Sequence, residues 1–510
     1  MIAQINTVAF LGIEVRKIQI QVHISTGGLP SFNIVGLPDK TVAESKERVR
    51  AAFSSIALGI PAKRITINMA PADILKEGSH FDLGIAVGLL IAMQIIPQEE
   101  MVDYIVMGEL ALDATVTRVN GVLPTAIAAS GFGMGLVCPW ENHKEAVYSG
   151  NESIVAVKNL IELVNHFTGK QLLNLSMQVS QPISIPYPDL ADVKGQYMAK
   201  KALEIAAAGG HHMLMIGPPG SGKSMLAKRL PGIMPPLSPK ERLEASIIAS
   251  IAGTLAPENG LVDHRPFRSP HCSSSMPAMV GGGRNAIPGE VTLAHLGILF
   301  LDELPEFSKL LLESLRQPVE DGQITIARVH THITYPAKFQ LIAAMNPCKC
   351  GYYGNINSNL MCKRAPKCAY DYQDRVSGPM FDRFDLQVET AGINSNDLQL
   401  KQQANGEKSS VVAKRVLNAR QIQNERYQKL GLDITSNSRL EGEDLYKCAE
   451  MDDKALETLE RAAARFSLSM RGINRVLKVA LTIADLESHN GKLQHSHIAE
   501  ALNYRIARLR

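Results

Sequence analysis

The sequence predicts an α/β protein of several domains, and three observations carry that prediction. From Asp192 onward, strand patterns alternate with helix patterns, as in a mostly parallel sheet covered on both faces. A glycine-rich stretch, GPPGSGKS at residues 217–224, lies between an apolar strand and a helical pattern. The first 168 residues open with period-two alternation in KIQIQVHIS, where Ile18, Ile20, Val22 and Ile24 share one strand face. At 510 residues the chain is too long for one hydrophobic core, so two or three domains are expected.

Taken in order, residues 1–168 form a compact α/β domain: a helical pattern in DKTVAESKERVRAAFSSIAL follows the first strands, and RITINM supplies another. Residues 169–190 are polar and proline-bearing and read as a linker. Residues 191–390 carry the strand–helix alternation, residues 391–410 form a polar connector, and residues 411–510 hold four helical segments. The longest apolar run, residues 83–96, has 14 residues including Gln94, short of the roughly 20 that cross a bilayer, so it reads as a core helix and no membrane partner is expected. No secretory leader is visible at the N-terminus, and seven cysteines, an odd number, point to reduced thiols or metal ligands in a cytoplasm. The net charge of +3 is too small to indicate a nucleic-acid partner by itself.

The pattern G-x-x-x-x-G-K-S, spanning Gly217, Pro218, Pro219, Gly220, Ser221, Gly222, Lys223 and Ser224, marks a P-loop. In that setting the backbone N–H groups of the turn and the helix N-terminus cradle phosphate oxygens. Lys223 is expected to reach the β and γ phosphates of ATP, and Ser224 to ligate Mg²⁺. A second buried strand, ILFL at residues 298–301, ends in Asp302 and Glu303, where parallel sheets bind ligands. Asp302 is assigned to the Mg²⁺ shell and Glu303 to polarising the attacking water. A third strand, KFQLIAAMN, ends in Asn346, whose neutral amide can orient water without repelling the phosphate; the alternative is a strand cap.

These stretches, with FNIVGLPDKTVAESKERVRAA, RPFRSPHCSSSMPAMVGGG, QPVEDGQITIARV, AAMNPCKCGYYG and RVSGPMFDRFDL, resemble the YifB/ComM family of magnesium-chelatase-like AAA+ proteins over nearly the whole chain. The resemblance implies an AAA+ P-loop NTPase core with an α-helical lid, preceded by a Lon-protease-like (S5-like) α/β domain. It implies a ring, a hexamer, with ATP bound between subunits, and, for the competence branch, a DNA helicase driving branch migration beside a recombinase. By position, Val193 and Gln196 match the adenine-pocket segment, and Arg383 in FDRFDL matches the arginine finger, with Arg375 as runner-up. Arg471 matches sensor 2, with Arg475 the weaker match. In the N-terminal domain the catalytic lysine position of active proteases is Leu123 and the nucleophile position is Asp82, with Ser79 nearby, so no activated Ser–Lys pair is expected. This domain reads as a non-proteolytic scaffold or a DNA-contacting collar.

Cys348, Cys350, Cys362 and Cys368 follow C-x-C-x11-C-x5-C, which matches a structural zinc site; free thiols and a disulfide are the alternatives. Lys349, Lys363, Arg364 and Lys367 with Tyr352 and Tyr353 could meet phosphates there, or form a solvated basic loop. Two further loops are expected to face DNA, the alternative being crowded interdomain loops: residues 265–290, with Arg265, Arg268 and Arg284, where the resemblance implies a helix-2 insert, and what looks like a hairpin before sensor 1, with Arg328, His330 and His332. A protein-remodelling motor and an ATP-regulated protease are the rival functions.

Overall fold

The computed structural model describes residues 2–25, 27, 29–173, 187–283, 287–327, 332–354, 361–391, 406–489 and 491–505. Much of the linker and connector expected from sequence therefore lies outside the described residues. Near the N-terminus, β1 (Ile2–Leu11), β2 (Glu14–Ser25), β3 (Ser31–Val35), β4 (Arg64–Ala70), β5 (Tyr104–Val106), β8 (Gly135–Pro139) and β9 (Ile154–Val157) make one mixed sheet, ordered β3-β4-β2-β1-β5-β8-β9. A two-stranded ribbon, β6 (Glu109–Leu110) with β7 (Val116–Thr117), lies apart from it. On β2, Ile18, Ile20 and Val22 are fully buried, as the alternation requires. The apolar run folds as the buried helix Phe81–Ala92 and lies close on this sheet, because Gly84 and Gly88 have no side chains to meet Ile20 and Val22.

The second sheet joins β10 (Met213–Ile216), β11 (Phe267–Arg268), β12 (Ile298–Leu301), β15 (Gln340–Met345) and β16 (Leu386–Glu389). All its pairings are parallel, in the order β11-β12-β15-β10-β16. Successive residues of each strand serve opposite faces. Met213, Met215, Ile298, Phe300, Ile342 and Ala344 pack into a core shared with the lid. Leu214, Leu299, Leu301, Leu341, Ala343 and Met345 pack on the other face, against a hairpin of β13 (Gln323–Ala327) and β14 (His332–Pro336). Both faces are covered, which is why these strands read as continuous apolar runs.

The lid differs from the sequence expectation in one respect. Five helices are described rather than four: Ser409–Leu430, Gly442–Cys448, Asp453–Phe466, Met470–Leu486 and His495–Asn503. Gly442–Cys448, at seven residues, is too short to show a helical period. A buried polar network ties lid to sheet. His211 bridges Asp385 through Nδ1 (3.1 Å) and Thr482 through Nε2 (2.8 Å), while Asn437 donates to Thr482 (2.9 Å) and Asp485 (2.8 Å).

Candidate nucleotide site and cysteine cluster

β10 ends at Ile216, and residues 217–222 turn the chain into the helix Lys223–Ala227. Gly220 and Gly222 take φ of +75° and +88°, where an L side chain is strained. Gly217 is needed for another reason: a Cβ there would lie 2.0 Å from Oγ1 of Thr390, just past β16. Lys223 folds back over the turn, and its Nζ donates to the carbonyls of Gly217 (2.7 Å) and Pro218 (2.9 Å) and to Oδ1 of Asn346 (3.2 Å). Burial lowers the Lys223 pKa, while Asp302 and Glu303 pull it back up. Gln196 sits at φ +55°, and its Nε2 donates to the carbonyls of Ser221 (3.1 Å) and Ala391 (2.6 Å). Val193 is buried in the lid-side core. In this chain, then, Gln196 ties the loop to the segment after β16, and Val193 belongs to the lid-side core.

β15 lies between β10 and β12, with Met345 beside Ile216 and Ala343 beside Leu301. Three strand tips therefore open side by side. Ser224 Oγ donates to Asp302 Oδ2 at 2.6 Å, and the Glu303 N–H donates to Asp302 Oδ1 at 3.0 Å. Glu303 itself takes φ +54°, a conformation that costs about 1–3 kcal/mol in a non-glycine residue and gathers at functional sites. A hydroxyl beside carboxylates is an oxygen donor set suited to Mg²⁺. The open glycine cradle and Lys223 fit a polyphosphate.

The arginines stand outside this hydrogen-bond network. Arg383, 7% exposed, pairs with Glu320 at 2.5 Å and reaches the Pro379 carbonyl at 3.4 Å. Arg375 pairs with Glu306 at 3.0 Å. Arg471 is exposed in the first turn of Met470–Leu486, whereas Arg475 is held near Asp385 (3.6 Å) and Asp382 (3.9 Å), with burial lowering its pKa. Among the described residues no arginine pairs with Asp302 or Glu303. Sequence reasoning did not single out Thr390, Ala391 or Glu320. Their contacts span many residues and carry no local motif.

Of the arginines expected to face DNA, two are tied into the fold. Arg265 donates to the carbonyls of Pro235 (2.7 Å) and Leu296 (2.8 Å), and Arg268 makes a two-pronged pair with Glu290 at 2.6 Å. In this structure both guanidinium groups are engaged within the chain, Arg265 with part-buried carbonyls and Arg268 with a carboxylate, so either would have to exchange a partner to meet a phosphate. Arg284, Arg328 and His330 lie outside the described residues; His332 is exposed at the start of β14.

The four clustered cysteines converge. Their Sγ atoms lie within 4.8 Å of one another, and Cys348 and Cys350 approach to 3.1 Å. Cys348 and Cys362 are buried, Cys368 is half-buried and Cys350 is exposed. The N–H groups of Tyr352 and Tyr353 point to the Cys348 sulfur. This donor set is compatible with a structural four-thiolate zinc site.

In the N-terminal domain, Asp82 is fully buried and held by Arg48 through two bonds, 2.6 and 2.9 Å, and it also accepts from the Leu110 N–H. Leu123 is fully buried, and the Ser79 hydroxyl donates to Glu109 at 2.5 Å. Ser79 and Glu109 line a cavity of about 380 Å³ where this domain meets Ile251 and Tyr335 of the core.

Three family models match: "Subunit ChlI of Mg-chelatase" over residues 20–142, "Magnesium chelatase, subunit ChlI" over 189–398, and "Magnesium chelatase, subunit ChlI C-terminal" over 406–505. With the strand order and the tip geometry, these define a magnesium-chelatase-like AAA+ ATPase. The chain is 43% identical to YifB of Salmonella typhimurium, covering 99% of this chain and 97% of that protein. It is 40% identical to the competence protein ComM of Haemophilus influenzae, covering 98% and 96%. A weaker likeness, 26% over 196 residues, relates 33% of the chain to Lon protease 2 of Bacillus subtilis, of which it covers 35%. The chain belongs to the YifB/ComM family of magnesium-chelatase-like AAA+ proteins.

Proposed function

We propose that this chain assembles into a ring, a hexamer, that hydrolyses ATP at subunit seams, translocates on DNA and promotes branch migration of recombination intermediates in natural transformation. The observation that carries the reading is a nucleotide centre supplied with lysine, hydroxyl, acids and amide, but with no arginine paired to its two acids among the described residues. Such a centre is completed by a neighbour, and an arginine finger serves that need. Full-length similarity to a competence protein supports the DNA assignment.

In this reading Lys223 and the loop residues 217–222 hold the ATP phosphates, Ser224 and Asp302 hold Mg²⁺, and Glu303 polarises water that Asn346 orients. Arg383 leaves Glu320 to reach the adjacent subunit's γ-phosphate, and Arg471 acts as sensor 2. Cys348, Cys350, Cys362 and Cys368 hold a structural Zn²⁺. The N-terminal domain is a non-proteolytic scaffold, consistent with Asp82 locked by Arg48 and Leu123 in the core. The setting is cytoplasmic, beside a recombinase; among the described residues no helix is long and apolar enough to cross a membrane. Unwinding of a synthetic three- or four-stranded junction with ATP tests the proposal: the wild type is expected to separate it and Lys223→Ala to leave it intact. Inert wild type on every junction would reject the DNA reading. It would favour a motor acting on a protein partner, for which the magnesium-chelatase family models speak.

A further inference from the structure

The cysteine cluster adjoins the nucleotide centre by two routes. Along the chain, Cys348 follows Asn346 with only Pro347 between them, and Asn346 accepts a hydrogen bond from Lys223. Through space, the turn after Cys348 presses on the phosphate loop. Gly351 takes φ +83°, its N–H donates to the Cys348 carbonyl at 2.9 Å, and a Cβ on it would lie 2.5 Å from Cδ of Pro219. Gln373 braces the first route: it ends the helix Lys367–Gln373, which carries Cys368, and its Nε2 donates to the Pro347 carbonyl at 2.9 Å. Among the described residues, the buried apolar cluster local to this module holds Cys348, Cys362 and Ala369, with Tyr353 and Cys368 packed against it. The helix Lys367–Gln373 is anchored in the main core through Tyr372, but so small a local cluster gives the cysteine-bearing turn little apolar burial of its own, and small modules of this kind commonly hold their shape through a cross-link such as a metal.

We infer that the metal held by Cys348, Cys350, Cys362 and Cys368 is a strut of the nucleotide site, fixing the Gly351 turn against Pro219 and the strand end that bears Asn346, so that nucleotide affinity depends on metal occupancy. The inference rests on the reading of the Lys223 centre as an ATP site. A metal-bound thiolate set draws its residues into one rigid turn, and partners standing behind the ligands of a metal site commonly change metal affinity or activity by about 10–100-fold, a scale expected also of a turn standing behind the phosphate loop. Losing the metal leaves the Pro219 side of the loop without its backing.

Two measurements test this on the full-length, reduced protein. Elemental analysis is expected to give one zinc per chain. Stripping with a zinc-selective chelator is expected to weaken binding of a fluorescent ATP analogue, in constant Mg²⁺, by about tenfold or more, with Zn²⁺ restoring it. Co²⁺ is expected to restore binding together with a thiolate-to-cobalt absorption band. The Gly351→Ala variant, which keeps all four thiols but sets a methyl into Pro219, is expected to retain zinc yet bind the analogue more weakly, and it decides the question if the stripped chain loses its helical circular dichroism. Native protein without zinc, unchanged affinity in a folded stripped chain, or a zinc-loaded Gly351→Ala that binds as the wild type does would each overturn the strut. Zinc-loaded wild type that binds no analogue would overturn the nucleotide reading beneath it.

Discussion

Lys223 is surrounded by four oxygens, the Gly217 and Pro218 carbonyls, the Asn346 amide and, at 3.5 Å, the Ser221 hydroxyl, and a bound phosphate would compete for its charge. Lys223→Ala is therefore expected to abolish nucleotide binding, read by an analogue titration. Glu303→Gln is expected to bind ATP and hold it unhydrolysed, and brisk phosphate release would reject Glu303 as the water-polarising group. For Arg383→Ala, turnover is expected to fall by about 10³–10⁵ with binding nearly intact, by analogy with arginine fingers. His80 offers a test of another kind. Burial pushes its pKa down to about 4, against the Nε2 bond to the Val8 carbonyl, so the fold holds it neutral. The unfolded chain, with an ordinary histidine pKa of about 6.5, binds the proton more readily. Stability from this residue is thus complete above about pH 6.5 and falls as the pH drops toward about 4, by on the order of 3 kcal/mol, which denaturant melts across that window would register.

Among the elements, β15 matters most, because its place between β10 and β12 sets Asn346 beside both Lys223 and the acid-bearing tip. The apolar runs and their polar ends were legible in the sequence, since each tip carries its own chemistry; the neighbour relations follow from long-range pairing and were not. Helix Met470–Leu486 shows the same division. Its amphipathic pattern marks a lid helix, but only the packed structure pairs Thr482 with His211, 271 positions away. Thr482→Val removes a hydroxyl that serves both His211 and Asn437 and is expected to destabilise the chain by about 1–3 kcal/mol, measured by equilibrium unfolding. In the N-terminal domain, Arg48→Ala leaves the fully buried Asp82 without its cation and is expected to cost about 3–5 kcal/mol.

For the molecule as a whole, the N-terminal domain is bonded to the helix Pro239–Ile251 of the ATPase core rather than loosely appended to it. The Gly121 N–H donates to the Ser250 carbonyl at 3.0 Å, and the Ser250 hydroxyl donates to the buried Glu145 at 2.6 Å. Movement of the helix Pro239–Ile251 during an ATP cycle would be felt in that domain. At this scale, a site completed by a second subunit predicts ATPase activity per chain that rises steeply with protein concentration and with added DNA. Turnover per chain independent of concentration, with a monomer in sedimentation, would reject the seam.

The sequence by itself determined the P-loop, the acid pair and the cysteine cluster, because each is a contiguous stretch whose spacing dictates its chemistry. It also set the layered α/β plan, since apolar periodicity records which faces must be buried. Tertiary structure alone decided what those stretches touch: Gln196 on the loop carbonyls, Arg383 on Glu320, Arg268 on Glu290, and Gly351 on Pro219. Such contacts join residues far apart in the chain, and a partner chosen by packing leaves no trace in the spacing of either residue.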